Sequence, residues 1–170
     1  MSTFQRILLT TDGSITNLLE AYQFEEIRTV KLFEELVPLA HDILAMDVKA
    51  GTEAIIRKVL LQGKTSGKNF IYASSITIYE RLDESFRTAL LETKMPIGKL
   101  WFEKRVETLK EVVDYSKEPA DDLAEYFDIP PDGNLLSRTY HVINNRKPVM
   151  MITEKFPDRC FLTCSLVPTA

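Results

Sequence analysis

TEAIIRKVLLQGKTSGKNFIYASSITIYE, residues 52–80, contains two stretches of β-branched and aliphatic residues separated by a loop with two glycines. Stretches of this kind are typical of strands. A short loop that contains glycine between two of them indicates an antiparallel hairpin. We therefore expect residues 52–62 and 70–80 to be neighbouring strands of an antiparallel sheet.

A second stretch of the sequence resembles the first. Residues 40–62 read as a short helix, a turn and a strand, followed by a hairpin and a partner strand, and the segment from Pro119 to Ile143 reads the same way. Arg57 and Arg138 fall at matching places in the two copies. The pattern is compatible with an internal repeat and also with chance, since strands often carry an arginine.

The remaining segments alternate between helical and strand patterns. Ser14 is a helix cap, and Asp83 opens another helical pattern. Glu26–Leu36 and residues 105–116 also have the composition of helices, but we interpret them as strands. Residues 4–9, 15–22, 83–93, 96–104 and 119–127 are predicted helices, and residues 134–143 and 148–156 are predicted strands around an Asn144-Asn145 turn.

These elements predict an α+β fold, with a central antiparallel sheet and helices covering one face. The chain has 170 residues and shows no linker or low-complexity segment. We expect one domain over residues 1–170.

Composition excludes several classes of partner. The net charge is −4, and no cluster of Lys and Arg argues for nucleic acid. No apolar run is long enough to cross a bilayer, and the first residues lack the pattern of a signal peptide. The expectation is a cytoplasmic protein with neither nucleic acid nor membrane as a partner.

The cysteines do not suggest a metal site. Cys160 and Cys164 lie four residues apart, and the two histidines, His41 and His141, are distant in sequence. A structural zinc site requires about four suitable ligands. We expect reduced, partly buried thiols and no metal.

Arg57 is a charged residue on an apolar strand face. With a period of two it shares that face with Ile55, Val59 and Leu61, so it should point inward. A buried guanidinium requires an anion. Its planar fork suits either a protein carboxylate or a carboxylate ligand, and the sequence leaves both open.

Glu154 raises the same question near the end of the last strand. It alternates with Ile152 and Met150, so it too should point inward. A direct pair with Arg57 would satisfy both side chains, and so would a ligand that lies between them. Between these two, we expect a shared ligand rather than a direct pair.

A third candidate is the segment 95–101, MPIGKLW, where Pro96 and Gly98 fix the backbone at a predicted helix start. Free N–H groups at such a start can bind an anionic oxygen. A simple turn is the alternative.

Together these segments resemble the chorismate pyruvate-lyase family. The family's arginine-bearing strand corresponds to residues 56–60, its Pro-Leu-Gly turn to 96–98, and its last Thr-Glu-x-Phe strand to 153–156. An early family segment where helix and loop meet corresponds to residues 13–16. The order is the same, and the matches cover most of the chain.

The resemblance implies an enclosed pocket and the cleavage of chorismate into 4-hydroxybenzoate and pyruvate without metal or cofactor. It implies that Arg57 holds the ring carboxylate and that Glu154 meets the ring hydroxyl. The backbone at Ile97, Gly98 and Ile15 would hold the carboxylate or close the pocket.

One departure concerns a second guanidinium. Many bacterial members of the family have an arginine at the place of Ser74, and Arg138 or Arg105 could substitute for it here. The pattern also resembles the ligand-sensing domain of a class of bacterial transcription regulators, so a stand-alone small-molecule sensor is the alternative function.

Overall fold

Six strands form one antiparallel sheet in the computed structural model, which describes residues 1–92 and 109–162. The order across the sheet is β1-β2-β3-β6-β5-β4. The strands are β1 Ile27–Pro38, β2 Glu53–Gly63, β3 Asn69–Ile78, β4 Leu109–Pro119, β5 Asn134–Asn144 and β6 Lys147–Pro157. The ambiguous segment Glu26–Leu36 therefore lies in a strand from Ile27 onward, and so does the segment 105–116 from Leu109 onward, because pairing with β2 and β5 outweighs their helix propensity. Residues 105–108 lie outside the described residues.

Four α-helices accompany the sheet in the described ranges: α1 Thr3–Thr10, α2 Ile15–Gln23, α3 Glu84–Glu92 and α4 Ala124–Phe127. Three short 3₁₀ turns are Leu44–Met46, Tyr79–Arg81 and Asp121–Leu123. Ser14 caps α2 as predicted, since its hydroxyl accepts from the Asn17 amide. The predicted helix at 96–104 lies outside the described residues. No described helix is long and apolar enough to cross a membrane.

The two halves of the sheet are related by a pseudo-twofold axis between β3 and β6. Counted inward from either edge, the strands follow chain order, β1-β2-β3 from one edge and β4-β5-β6 from the other. Each half is therefore a three-stranded meander. Asp47 and Asp128 are as far apart in sequence as Arg57 and Arg138 are. Both aspartates have a left-handed backbone conformation, with φ of 50° and 53°. The internal repeat is therefore present in the structure, and the two arginines occupy equivalent positions.

Bulges also recur in both halves. In β1 the register shifts between Lys31 and Phe33, and in β4 it shifts between Val112 and Asp114. The predicted alternation of residues 27–33 is therefore wrong beyond Lys31, because the extra residue turns Phe33 to the opposite face. The same shift places Glu34 directly opposite Arg57.

Both faces of the sheet are covered. We call the face that carries Arg57 the Arg57 face. Helices α1 and α2 cover one end of it, where Leu8 and Leu19 cluster with Leu61 and Phe156. Helix α3 covers the other end through Phe86. The three longer helices thus lie on one face, as predicted.

The opposite face is covered by the connections that contain the short helical segments. Met46 and Val48 cluster there with Ala54 and Ile78. Ala124 of α4 clusters with Leu135 in the second half. On the Arg57 face itself, the polar side chains in the middle of the sheet lie between two apolar clusters, the one that contains Leu61 and the one that contains Phe86.

The hairpin between β5 and β6 turns at Asn145-Arg146 rather than at Asn144-Asn145. Asn145 has φ of 49° and Arg146 has φ of 62°, so both turn residues are left-handed, as a type I′ turn requires.

Because arginine is strained in that conformation, Arg146→Gly is expected to raise the free energy of unfolding by roughly 0.5–1 kcal/mol. Urea denaturation of the variant beside the parent measures the change. The control is Lys147→Gly at the first residue of β6, which should instead lower the free energy of unfolding. A rise in that free energy for Lys147→Gly as well would contradict the explanation given for Arg146.

Candidate active site

The sheet register brings the predicted charged residues to one face. Directly paired residues of antiparallel strands share a face, as do residues two apart on one strand. Two rows of paired residues cross the middle of the sheet: the first is Glu34, Arg57, Ser75, Ile152 and Tyr140, and the second is Val59, Ala73, Glu154 and Arg138. Arg57, Arg138 and Glu154 therefore lie on the same face, as predicted for Arg57 and Glu154.

Arg57 belongs to a group of polar residues in the first half, the Arg57 group, with Glu34, Ser75 and Thr77. Its Nε lies 3.3 Å from Glu34 Oε2, and its side chain is 4% exposed. Burial lowers the pKa of the Arg57 guanidinium, and the negative charge of Glu34 opposes this shift. Thr77 is fully buried, and its hydroxyl has no hydrogen-bond partner among the described residues.

Glu154 belongs to a second group, the Glu154 group, with Arg138, Tyr140 and Lys110. Its Oε2 accepts from Arg138 Nε at 2.7 Å, and its Oε1 accepts from the Tyr140 hydroxyl at 3.1 Å. Burial raises the pKa of Tyr140 well above its usual range, and the neighbouring Glu154 carboxylate raises it further. The phenol therefore stays a hydrogen-bond donor at neutral and moderately alkaline pH.

Arg138 is the most deeply buried charge of this group. Its side chain is 1% exposed, and its Nη1 donates to the Thr11 carbonyl at 2.8 Å. Its Nη2 is buried and has no hydrogen-bond partner within residues 1–92 and 109–162. The guanidinium is thus fixed through Nε and Nη1, while Nη2 can still donate a hydrogen bond.

Lys110 reaches the same group from the edge strand β4. Its Nζ donates to the Gly13 carbonyl at 2.9 Å and lies 5.6 Å from the centre of the Tyr140 ring. Burial lowers its pKa, while Glu154 opposes that shift. Together Lys110 and Arg138 hold the loop between α1 and α2 over the Glu154 group.

Arg57 and Glu154 do not pair directly, as predicted, and the ligand shared between them stays a prediction. Each has a protein partner: Glu34 for Arg57 and Arg138 for Glu154. With one strand between theirs and a two-residue offset, the Cα atoms of Arg57 and Glu154 are about 12 Å apart.

The other predicted site residues are placed as follows. Ile15 is the first residue of α2, and its side chain is buried in the apolar cluster, so a contact with ligand would come from its backbone.

Ser74 pairs with Lys58 and Thr153, on the face opposite Arg57. Arg138 is therefore the second guanidinium on the site face among the described residues. Ile97, Gly98 and Arg105 lie outside those residues.

Sequence reasoning missed Glu34, Tyr140 and Lys110 as members of the site. Tyr140 had a signal, because it lies two residues from Arg138 on the same strand. Glu34 and Lys110 gave no such signal in the sequence. The faces on which they lie depend on the bulges in β1 and β4, which the sequence pattern does not show.

No group of three or more His, Cys, Asp and Glu side chains suitable for a metal ion occurs in the described part of the chain. Cys160 is a free, partly buried thiol whose pKa is raised by burial. Cys164 lies outside the described residues.

The fold is that of the chorismate lyase-like α+β domains, which certain regulators share. The effector domain of PhnF from Mycobacterium smegmatis matches with a TM-score of 0.66 and 14% identity, over 86% of this chain and 89% of that chain. A GntR-family transcriptional regulator from Bacillus cereus matches with a TM-score of 0.63 and 9% identity, over 84% of this chain and 99% of that chain.

The sequence pattern of the family described as "Chorismate pyruvate-lyase Rv2949c-like" matches residues 9–162. A chorismate pyruvate-lyase from Mycobacterium leprae is 31% identical over 163 residues, which cover 89% of this chain and 72% of that protein. The chain belongs to the Rv2949c-like chorismate pyruvate-lyase family.

Proposed function

We propose that this protein is a cytoplasmic, single-domain lyase that eliminates pyruvate from chorismate to give 4-hydroxybenzoate, without metal or cofactor. The observation that carries the proposal is the pair of buried polar groups on one sheet face, a guanidinium at one end and a carboxylate at the other, in a member of this family. Such an arrangement suits a ring with a carboxylate at one end and a hydroxyl opposite it.

In this proposal Arg57 binds the ring carboxylate. A guanidinium can bind a carboxylate through two parallel N–H donors, and the burial of Arg57 strengthens a charged hydrogen bond. Ser75 and the Thr77 hydroxyl lie on the same face and supply neutral donors beside it. The backbone at Ile97 and Gly98 is proposed to complete this end.

Glu154 is proposed to accept a hydrogen bond from the ring hydroxyl. Arg138 and Tyr140 each donate to one of its oxygens, which fixes the carboxylate in place. A carboxylate oxygen can accept more than one hydrogen bond, so both oxygens keep acceptor capacity toward the ligand. The Ile15 backbone and the loop before it would close this end.

The reaction requires little of the protein because it makes an aromatic ring. The ring carbon that bears the hydroxyl loses a proton, and the electron pair of that C–H bond forms the last ring double bond. The neighbouring C–O bond breaks with its electrons on the enolpyruvyl oxygen, and the resulting enolate takes up one proton to give pyruvate. Orientation, charge stabilisation and exclusion of water are the contributions expected from this site.

Purified protein treated with a chelator is expected to convert chorismate to equal amounts of 4-hydroxybenzoate and pyruvate, because the proposed contacts come from side chains and backbone alone. Chromatography measures the first product and a coupled reduction of pyruvate the second. Chorismate incubated without protein is the control for its spontaneous breakdown. Formation of neither product above that control would overturn the proposal.

A stand-alone sensor is the second candidate, and the shared fold with regulator effector domains favours it. Binding of 4-hydroxybenzoate with no turnover of chorismate would identify the protein as a sensor.

A further inference from the structure

Two cationic side chains lie together beside Glu154. Arg138 keeps its Nη2 buried and unpartnered among the described residues. Within those residues, Lys110 Nζ donates a hydrogen bond to the Gly13 carbonyl, although an ammonium carries three donors. Both side chains project from the Arg57 face under the loop between α1 and α2, where Thr11 and Gly13 hold them.

The charges of this group do not balance. Lys110 and Arg138 carry two positive charges against the single negative charge of Glu154, and the exposed Asp12 contributes the weakest of the electrostatic effects on Lys110. Burial is the largest of these effects and lowers the pKa of Lys110. Arg138 is buried and Lys110 is half-buried, and an excess of positive charge shielded from water is costly without an anion nearby. This part of the site therefore favours an anionic ligand group.

We infer that Lys110 and Arg138 Nη2 form a second carboxylate subsite that receives the enolpyruvyl carboxylate of the substrate. The inference rests on the proposed function. Chorismate carries its enolpyruvyl ether on the carbon next to the one that bears the hydroxyl. With the ring carboxylate at Arg57 and the hydroxyl at Glu154, the second carboxylate must therefore lie at the Glu154 end.

The subsite also distinguishes the binding of substrate from the binding of product. The dicarboxylate substrate uses both ends of the site, whereas 4-hydroxybenzoate has only the ring carboxylate and the hydroxyl. Once the C–O bond breaks, pyruvate takes the second carboxylate with it. Lys110 should therefore contribute to the binding of substrate and pyruvate, and little to the binding of 4-hydroxybenzoate.

A stable probe tests the subsite without turnover. 3-Carboxymethoxy-4-hydroxybenzoate carries both carboxylates and the hydroxyl on a ring that is already aromatic, so it has nothing to eliminate. Calorimetry on the parent is expected to show that it binds at least about tenfold more tightly than 4-hydroxybenzoate, as one charged hydrogen bond allows. Equal affinities for the two ligands would overturn the inference.

Lys110→Met is expected to lose that preference while its affinity for 4-hydroxybenzoate changes less than about twofold. Lys110→Arg keeps the charge and should retain part of the preference. Lys117→Met, on the same strand but paired with Asp158, is the matched control and should behave as the parent. Equal weakening of both ligands in Lys110→Met, with an unchanged melting temperature, would overturn the inference.

The pH dependence gives a second readout. Lys110 faces Glu154, Arg138, Tyr140 and Asp12, and its positive charge binds the probe. The preference for the dicarboxylate should be present where both carboxylates are ionised and Lys110 is protonated, and it should be lost as pH rises through the Lys110 pKa, which burial sets below that of an ordinary lysine. In Lys110→Arg the loss should move to higher pH, and the same profile in both proteins would contradict a role for Lys110.

These measurements separate the inference from the proposed function. Absence of chorismate turnover in the parent together with a Lys110-dependent preference for the dicarboxylate would refute the lyase and support the subsite. Turnover without that preference would support the lyase and refute the subsite.

Discussion

Glu154→Gln is expected to lower chorismate turnover by at least about a hundredfold and the free energy of unfolding by about 3–5 kcal/mol. The first loss follows from removal of the charge that is proposed to meet the ring hydroxyl. The second follows because Arg138, 1% exposed, loses the carboxylate that lies 2.7 Å from it, and a buried charge left without its partner is strongly destabilising. Kinetics and urea denaturation of the variant measure the two effects.

A double-mutant cycle with Arg138→Met isolates the pair. Each single variant should be destabilised, but the double variant should lose far less than the sum of the two, because it contains no uncompensated charge at these positions. All three variants should lack turnover. Stability losses that simply add would show that Arg138 and Glu154 do not stabilise each other.

Arg57→Ala is expected to weaken the binding of 4-hydroxybenzoate by about 10- to 100-fold, the loss of one charged hydrogen-bond pair. Its effect on stability should be smaller than that of Glu154→Gln. Glu34, the partner of Arg57, is 14% exposed and also pairs with Lys31 at 2.7 Å, so it does not become an isolated buried charge. Calorimetry and thermal melting separate the two quantities.

A neutral ligand sharpens the test of Arg57. The parent should prefer 4-hydroxybenzoate to 4-hydroxybenzamide, and Arg57→Ala should bind the two alike, because the guanidinium proposed to recognise the carboxylate is gone. Glu34→Gln is the control and should keep the preference. If Arg57→Ala retains a full preference for the carboxylate, Arg57 serves the fold rather than the ligand.

The sequence predicted which strands form, but it did not predict the register shifts that decide which residues face each other across them. Arg57 was correctly predicted to point inward, because Ile55 and Leu61 share its face and mark the buried side. Its partner was not predictable, because an extra residue in β1 decides that Glu34 faces it. A carboxylate that is distant in sequence can be assigned only when the register between strands is known.

The contact between Arg138 and Glu154 depends on a register shift in the last hairpin. Asn144 pairs with Lys147, but beyond the shift at Val142 the pairing moves by one residue and sets Arg138 opposite Glu154. Without it Arg138 would face Thr153, and a one-residue slip turns a side chain to the other face. Pro148, which has no N–H for the ladder, marked the irregularity in the sequence.

A domain made of two equivalent meanders can change one end of its ligand site and leave the other intact. Arg57 and Arg138 hold equivalent places, yet their directly paired neighbours differ: Ser75 beside Arg57 and Glu154 beside Arg138. In one half the central-strand neighbour of the arginine is a neutral serine, and in the other it is a carboxylate, so the two ends of the proposed site differ in charge. In a scaffold of this kind, the chemistry at one end of the site can change while the backbone that carries both ends stays the same.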